Sequence, residues 1–367
     1  MHRVIGERDI DETPFTVERA RDLLTEMVRA RAFDERALSL QRQGWMSGYP
    51  PFRGQEASQV GAAAAMRDAD WLFPTYRSNA MQLARGVPMR DVLLFRRGFA
   101  EFNSDHEVRN FPQAVPIATQ LLHAVGFGMA ENYRDRAVER SETADRRAEG
   151  SASDRHASRE APAESAVVAY LGDGATSEGD FHEAMNFAGV FETPVLFFCE
   201  NNGWAISMPR ERQTASDSIA VKAEAYGFEG GQVDGNDPLA VREYVERALE
   251  RVRGGEPFLV ESLTYRQGPH TTSDDPSRYE DRTNYPEWRT RDPIERYAEY
   301  LREQGAIEEG FVETAREVAD EELREAVERA EATPDPDPET VFDHVYADLP
   351  PRLRAQRATM LERVESQ

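Results

Sequence analysis

The chain has 367 residues, a single cysteine, and 68 acidic against 44 basic side chains, for a formal charge of −24. That balance excludes a nucleic-acid footprint, which needs clustered positive potential, and the lone Cys199 excludes intrachain disulfides. No run of about 18 apolar residues is present to span a bilayer, and the N-terminal MHRVIGERDIDETPF has no apolar signal region, so the expectation is a soluble, cytoplasmic protein with ample length for a core. Lys222 is the one lysine among the basic residues, the rest being arginine. An acidic, lysine-poor surface suits concentrated salt, where self-repulsion is screened and carboxylates stay hydrated. An extremely halophilic source is expected.

In chain order, Phe15 to Gly44 reads as a helical lead-in, with Leu23, Met27, Ala30, Phe33 and Leu38 at roughly helical spacing. Glu56 to Met66 is alanine-rich and helical, and Asp70 to Thr75 is a short strand. Val115 to Met129 reads as a buried helix. Residues 134–164 are Arg, Glu, Asp, Ser and Ala with almost nothing apolar, the composition of a disordered or weakly helical surface insertion. Two apolar runs follow, Val167–Leu171 and Pro194–Cys199, separated by a helical pattern over Ser177–Phe191. Cys199 sits inside such a run, as a packed hydrophobe rather than a nucleophile. Farther on, Ala220–Tyr226 and Pro238–Arg253 are helical, Gly231–Val233 starts a strand, and Phe258–Leu263 is a buried strand. From Pro293 the chain is helical and charged, with a Pro-rich break before a terminal helix. The expected fold is a doubly wound parallel α/β domain at 46–290, flanked by helical extensions at 1–45 and 291–367.

The chemistry concentrates in GDGATSEGD, Gly172 to Asp180, and in Asn201-Asn202. Each stands where an apolar strand stops. Strand, helix and strand in about thirty residues make a βαβ unit, so Asp173 and Asn202 fall at the carboxyl ends of parallel strands, where open sheets place ligands. A carboxylate, an amide oxygen and backbone carbonyls suit Mg²⁺, completed by water and phosphate oxygens. Asp-Gly and Asn-Asn are ordinary turn formers, and GDG alone is more often only a turn. The 26 residues between Gly174 and Asn201, with both anchors ending apolar strands, tip the balance toward a site. No GxxxxGK[ST] and no GxGxxG competes for the phosphate role.

GDG-x26-NN, together with SLQRQGWMSGYPPFRGQE, WLFPTYR, PIATQ, VDGND and TYRQGPHTTSDDP, resembles the alpha subunit of the thiamin diphosphate-dependent component of 2-oxoacid dehydrogenase complexes. The resemblance runs from Leu40 to Leu353 and implies the thiamin diphosphate-binding fold. It implies Mg²⁺ held by Asp173, Asn202 and the Trp204 carbonyl, with the Gly174 and Ala175 amides facing the diphosphate near a helix start. Tyr76 and Arg77 take the phosphate-contacting places, a guanidinium suiting phosphate through paired hydrogen bonds. Val115 and Ile117 stand where an apolar wedge bends the cofactor, though core packing is an equal use of an isoleucine. His270 takes the place of a catalytic histidine. Asp180 and Glu183, three positions apart on one helix face, are a candidate acidic proton path, against a bland reading as helix-terminus charge. His123 reads as a satisfied core histidine, and His182 is left open.

The resemblance further implies a beta subunit completing an α2β2 heterotetramer, a lipoyl acyltransferase partner, and a 2-oxoacid substrate. That beta subunit would bring the glutamate and the pyrimidine-binding domain absent here, so this chain alone is expected to be inactive. The GPHTTSDDP loop fits branched-chain and bacterial pyruvate members alike. An acetoin-cleaving enzyme, or a non-catalytic paralogue acting as an interaction subunit, are the alternatives. The paralogue would be betrayed by loss of Asp173, Asn202 or His270, and all three are present.

Overall fold

The structure, a computed structural model, describes residues 1–101, 104, 106–113, 115–148 and 165–366, with backbone alone over 135–148. Its strands are β1 (Trp71–Phe73), β2 (Val167–Gly172), β3 (Val195–Asn201), β4 (Trp204–Ala205), β5 (Met208–Pro209), β6 (Glu229–Asp234) and β7 (Phe258–Leu263). Its α-helices are α1 (Val17–Arg42), α2 (Glu56–Ala65), α3 (Asn79–Ala84), α4 (Met89–Arg96), α5 (Thr119–Ala148) and α6 (Gly179–Phe191), followed by α7 (Pro238–Arg253), α8 (Glu287–Thr290), α9 (Pro293–Glu303), α10 (Phe311–Glu331) and α11 (Pro351–Glu365).

Among the described residues five strands form one wholly parallel sheet in the order β1-β2-β3-β7-β6, and β4 and β5 form a separate small hairpin. The fully apolar strands are explained by burial on both faces, the rule for parallel sheets. Val168, Tyr170, Leu196, Phe198 and Val260 face a core shared with α1, α2, α7, α9 and α10. Val167, Ala169, Leu171, Phe197, Cys199 and Leu259 face the other core, against α5 and α6. The β2–α6–β3 crossover moves along the sheet in the sense opposite to β6–α7–β7. Right-handed crossovers therefore put α6 and α7 on opposite faces, and the strand order reverses between β3 and β7. This is the doubly wound fold expected from the sequence.

Local signals start the helices. Asp237 accepts from the Ala240 amide at 3.0 Å with Pro238 at the first turn of α7, and Asp292 likewise caps α9 through the Ile294 amide at 3.0 Å. Two expectations need correction. The helix expected from Val115 begins only at Thr119, because Ala118 is left-handed at φ 68°, a conformation a right-handed helix cannot run through. The helix expected from Ser177 begins at Gly179, after a 3-10 turn over Asp173–Ser177 and an extended Glu178. The insertion expected at 134–164 falls outside the described residues from 149 onward; its first part continues α5 to Ala148. Among the described residues no helix is long and apolar enough to cross a membrane. Of the flanking helices, α1, α9 and α10 are not appendages, since their side chains enter the same core as α2 and α7, whereas α11 buries none of its residues.

Candidate cofactor-binding site

At the carboxyl edge of the sheet lies a cavity of about 310 Å³, open to one side. It is walled by the ends of β2 and β3, the β4–β5 hairpin, the loop before α5, the Thr75–Arg77 turn and His270. Strand order explains the place: the reversal between β3 and β7 leaves a crevice beyond the strand ends.

Asp173, the first residue past β2, is buried, and its Oδ2 has no hydrogen-bond partner. Burial pushes its carboxyl up to about 6, against the nearby positive charge of Arg289. Across the crevice Asn202 is also buried; its Oδ1 accepts from the Trp204 amide at 3.1 Å and its Nδ2 donates to Gln55 at 3.0 Å. Asn202 and Trp204 line the same cavity as Asp173. Gly174 has no room for a side chain, because a Cβ there would stand 2.8 Å from the Ala205 Cβ. Its backbone is thereby left bare toward the cavity. Among the described residues no cluster of three or more His, Cys, Asp or Glu suits a metal. The oxygen donors of the residues named there are instead one buried carboxylate, Asp173, and the Asn202 amide, both hard. An unpartnered buried carboxylate oxygen fits a hard cation there.

The opposite wall is cationic. Arg77 is buried and donates from Nη1 to the Pro51 carbonyl at 2.5 Å, and from Nη2 to the His270 carbonyl at 2.9 Å and to His270 Nδ1 at 3.1 Å. Pro51 is itself set by Asp34, whose Oδ1 accepts from the Tyr49 hydroxyl at 2.8 Å and the Phe52 amide at 2.9 Å. Arg266 donates a second bond to His270 Nδ1 at 3.2 Å, and the His270 amide donates to Asp274 at 2.6 Å. Guanidinium nitrogens only donate, so Nδ1 is the acceptor and the ring hydrogen sits on Nε2. Burial and then the charges of Arg77 and Arg266 push the imidazole down to about 3, with Asp274 opposing. His270 is therefore a neutral, oriented donor at neutral pH.

Tyr76, Arg77, Val115, Ile117, Asp173, Gly174, Ala175, Asn202, Trp204 and His270 thus all line one cavity. Ile117 is 43% exposed and Val115 60%, so the core-packing use of that isoleucine is not what the fold adopts. Asp180 and Glu183 do not line the cavity; Asp180 is half-buried and Glu183 exposed on the outer side of α6. His123, expected in the core, is exposed, stacked on Phe111 at 5.7 Å with Nδ1 3.0 Å from the Thr119 carbonyl. It lies on the outward face of α5, which its apolar neighbours concealed. His182 is exposed and meets the Tyr226 hydroxyl at 2.5 Å. Cys199 is buried, and burial holds its thiol far above the ordinary range, as a packed hydrophobe requires.

Sequence reasoning missed Tyr170 and Glu200 on the cavity floor. Burial pushes the Glu200 carboxyl up to about 7, against hydrogen bonds from the Tyr170 hydroxyl, Ser58 and Gln59. The one available signal was a glutamate at the end of an otherwise apolar strand. Arg266 was legible as part of TYRQGPH, but its role beneath His270 depends on how the loop turns back.

A cavity at the carboxyl edge of a parallel sheet, beside the point where strand order reverses, is the ligand cleft of an open α/β protein. The chain belongs to the dehydrogenase E1 component family, which it matches over residues 25–339, and within it is the alpha subunit of a 2-oxoacid dehydrogenase. It is 46% identical over 356 residues to the 3-methyl-2-oxobutanoate dehydrogenase subunit alpha of Mycobacterium tuberculosis, covering 95% of this chain and 87% of that protein. It is 35% identical over 343 residues to the pyruvate dehydrogenase E1 component subunit alpha of Bacillus cereus, covering 92% and 85%. With that subunit from Staphylococcus aureus the identity is 34% over 345 residues, covering 93% and 86%. The family implies thiamin diphosphate as cofactor, and its alpha subunits work with a beta subunit within a larger complex.

Proposed function

We propose that this chain holds the diphosphate of thiamin diphosphate through Mg²⁺ bound by Asp173, Asn202 and the Trp204 carbonyl. In an α2β2 heterotetramer it would act on a branched-chain 2-oxoacid and deliver the acyl group to the lipoyl group of an acyltransferase. The observation that carries the reading is the Asp173 Oδ2, buried in the cavity wall without a partner. When bound, the cofactor supplies a nucleophilic carbon and an electron sink for decarboxylation. The chain's own residues then have separable tasks. Gly174 and Ala175 offer backbone amides at the diphosphate, Arg77 and Tyr76 close the opposite side, and Ile117 with Val115 gives the bend its apolar support. His270 donates a hydrogen bond from Nε2 to an oxygen at the reacting end. Asp180 and Glu183, lying off the cavity, are assigned to a proton path completed by a partner subunit.

The branched-chain substrate is favoured by the higher identity to the mycobacterial 3-methyl-2-oxobutanoate dehydrogenase subunit. Pyruvate, and acetoin cleavage, remain the competing outcomes of the test. The acidic, arginine-rich composition supports a cytoplasm at high salt as the working environment.

The test reconstitutes the chain with its beta subunit and titrates thiamin diphosphate with and without Mg²⁺. Binding is expected to require both the metal and Asp173, to be lost in Asp173→Asn, and to be followed by turnover of branched-chain 2-oxoacids ahead of pyruvate. The isolated chain is expected to show no turnover. Metal-independent binding, or robust turnover by the chain alone, would overturn the reading; no turnover with any 2-oxoacid despite binding would favour the interaction-subunit paralogue.

A further inference from the structure

Arg289 stands on the one-turn helix α8, 88 residues from Asn201, yet its side chain ends at the carboxyl edge of the sheet. Its Nη2 donates to the Asn201 carbonyl at 2.9 Å and its Nε to the Thr264 carbonyl at 2.8 Å. Those carbonyls belong to the last residue of β3 and the first residue beyond β7, the two strands between which the order reverses. One planar guanidinium thus ties both strand ends together, a geometry a flexible ammonium does not reproduce. The Asn201 carbonyl is doubly held, since the Thr264 amide also donates to it at 2.9 Å.

The same segment grips the following loop. Tyr285 lies 5.0 Å beneath the Arg289 guanidinium, and its hydroxyl comes so close to Gly203 that a Cβ there would be 2.7 Å away. Gly203 has φ 87°, open to glycine at no steric cost, and its amide donates to Asn201 Oδ1 at 3.0 Å. Asn201 Nδ2 in turn donates to Glu261 at 2.7 Å. Asn201 and Gly203 are therefore fixed on both sides of Asn202, while Asn202 and Trp204 face the cavity.

We propose that Arg289 is a positioning residue for the cofactor site. By bridging the ends of β3 and β7 and pressing Tyr285 onto Gly203, it sets the Asn202 and Trp204 oxygens for Mg²⁺ without touching the metal or the cofactor, an effect that outweighs the repulsion between its charge, felt at Asp173, and the cation. The inference rests on the magnesium reading above and assigns the metal loop a support from the C-terminal part of the chain. Groups that hydrogen-bond a metal ligand directly are worth about 10–100-fold in metal affinity; Arg289 bonds the residue before Asn202 rather than a ligand, so the lower end of that range is expected.

The experiment titrates Mg²⁺ into the reconstituted complex at saturating thiamin diphosphate, without substrate, by calorimetry, for the wild type, Arg289→Met and Arg289→Lys. Arg289→Met is expected to raise the Mg²⁺ midpoint by about 10-fold. Its kcat at saturating metal and cofactor should be unchanged, the mark of lost binding rather than lost chemistry. Arg289→Lys, which keeps the charge and a single donor group, should fall between. A merely structural role would lower the melting temperature of the cofactor-free protein and leave the Mg²⁺ midpoint where it was, overturning the proposal. Wild-type midpoints in both variants would overturn it while the magnesium site stands. Absence of Mg²⁺-dependent binding in the wild type would overturn both. If Arg289→Met fails to assemble, Arg289→Lys decides alone: a raised midpoint supports the proposal and an unchanged one overturns it.

Discussion

His270 shows how much of a residue's behaviour comes from neighbours distant in sequence. Arg77 is 193 residues away and Arg266 four, and both donate to the same ring nitrogen. Burial and these charges depress its pKa to about 3, so the folded protein binds a proton there less readily than the unfolded chain does. Unfolded chains then hold more protons between about 6.5 and 3, and the slope of stability against pH is positive in that window. The contribution of His270 is complete above about 6.5 and is lost as pH falls toward 3. His270→Gln should flatten the acid limb of urea-melt stability measured from pH 7 to pH 5, by at most about 1.4 kcal/mol per pH unit for one proton. In the reconstituted enzyme the same variant should lower kcat by roughly 10²–10⁴-fold while Mg²⁺-dependent cofactor binding persists. An unaltered acid limb would count against the neutral, arginine-backed ring.

At the scale of elements, a buried ionic junction joins the N-terminal helix to the sheet layer and to the C-terminal helices. Arg31 on α1 donates from Nε to Glu56 at the start of α2 at 2.5 Å, and from Nη1 to Asp292, the cap of α9, at 2.8 Å. The Arg31 side chain is 8% exposed and that of Glu56 0%. Removing one partner of such a pair leaves an uncompensated buried charge, which costs about 3–5 kcal/mol. Arg31→Ala should lose that much stability in urea melts of the cofactor-free chain; a loss under about 1 kcal/mol would show that water or relaxation takes over the role. The helical extensions were read from periodicity as flanking pieces, but this junction and the shared core make α1, α9 and α10 part of the scaffold that presents the site.

For the whole molecule, 68 acidic residues against 44 basic ones create a self-repelling surface. Many of the basic groups are already engaged: Arg251 pairs with Glu229 and Glu256, and Arg324 with Glu321 and Glu328. Exposed pairs of this kind contribute little each, so the remaining repulsion is left to the solvent to screen. The Debye length is about 10 Å at 0.1 M salt and about 3 Å at 1 M. Raising KCl from 0.1 M to 3 M should therefore stabilise the fold by about 1–2 kcal/mol, a factor of roughly 5–30 in the folded-to-unfolded ratio. Equal melting temperatures at the two concentrations would remove the case for a high-salt environment.

The sequence by itself determined the class of fold and the location of the chemistry. Unbroken apolar runs demand a sheet buried on both faces, and GDG and NN at their ends mark its carboxyl edge. Those features are local, set by periodicity and turn chemistry, and they placed Asp173 and Asn202 at one crevice, whereas His270 was legible only through the family resemblance of TYRQGPHTTSDDP. Local signals failed where backbone conformation overrides pattern, as in the left-handed Ala118 before α5, or where only the direction of a helix face matters, as for His123. Tertiary structure alone decided which distant groups meet. Glu200 and Tyr170 became the cavity floor, Arg266 came to stand under His270, and Arg289 reached back across the sheet to hold two strand ends. Such contacts depend on loop paths and strand order, and those are settled by global packing rather than by any window of neighbouring residues.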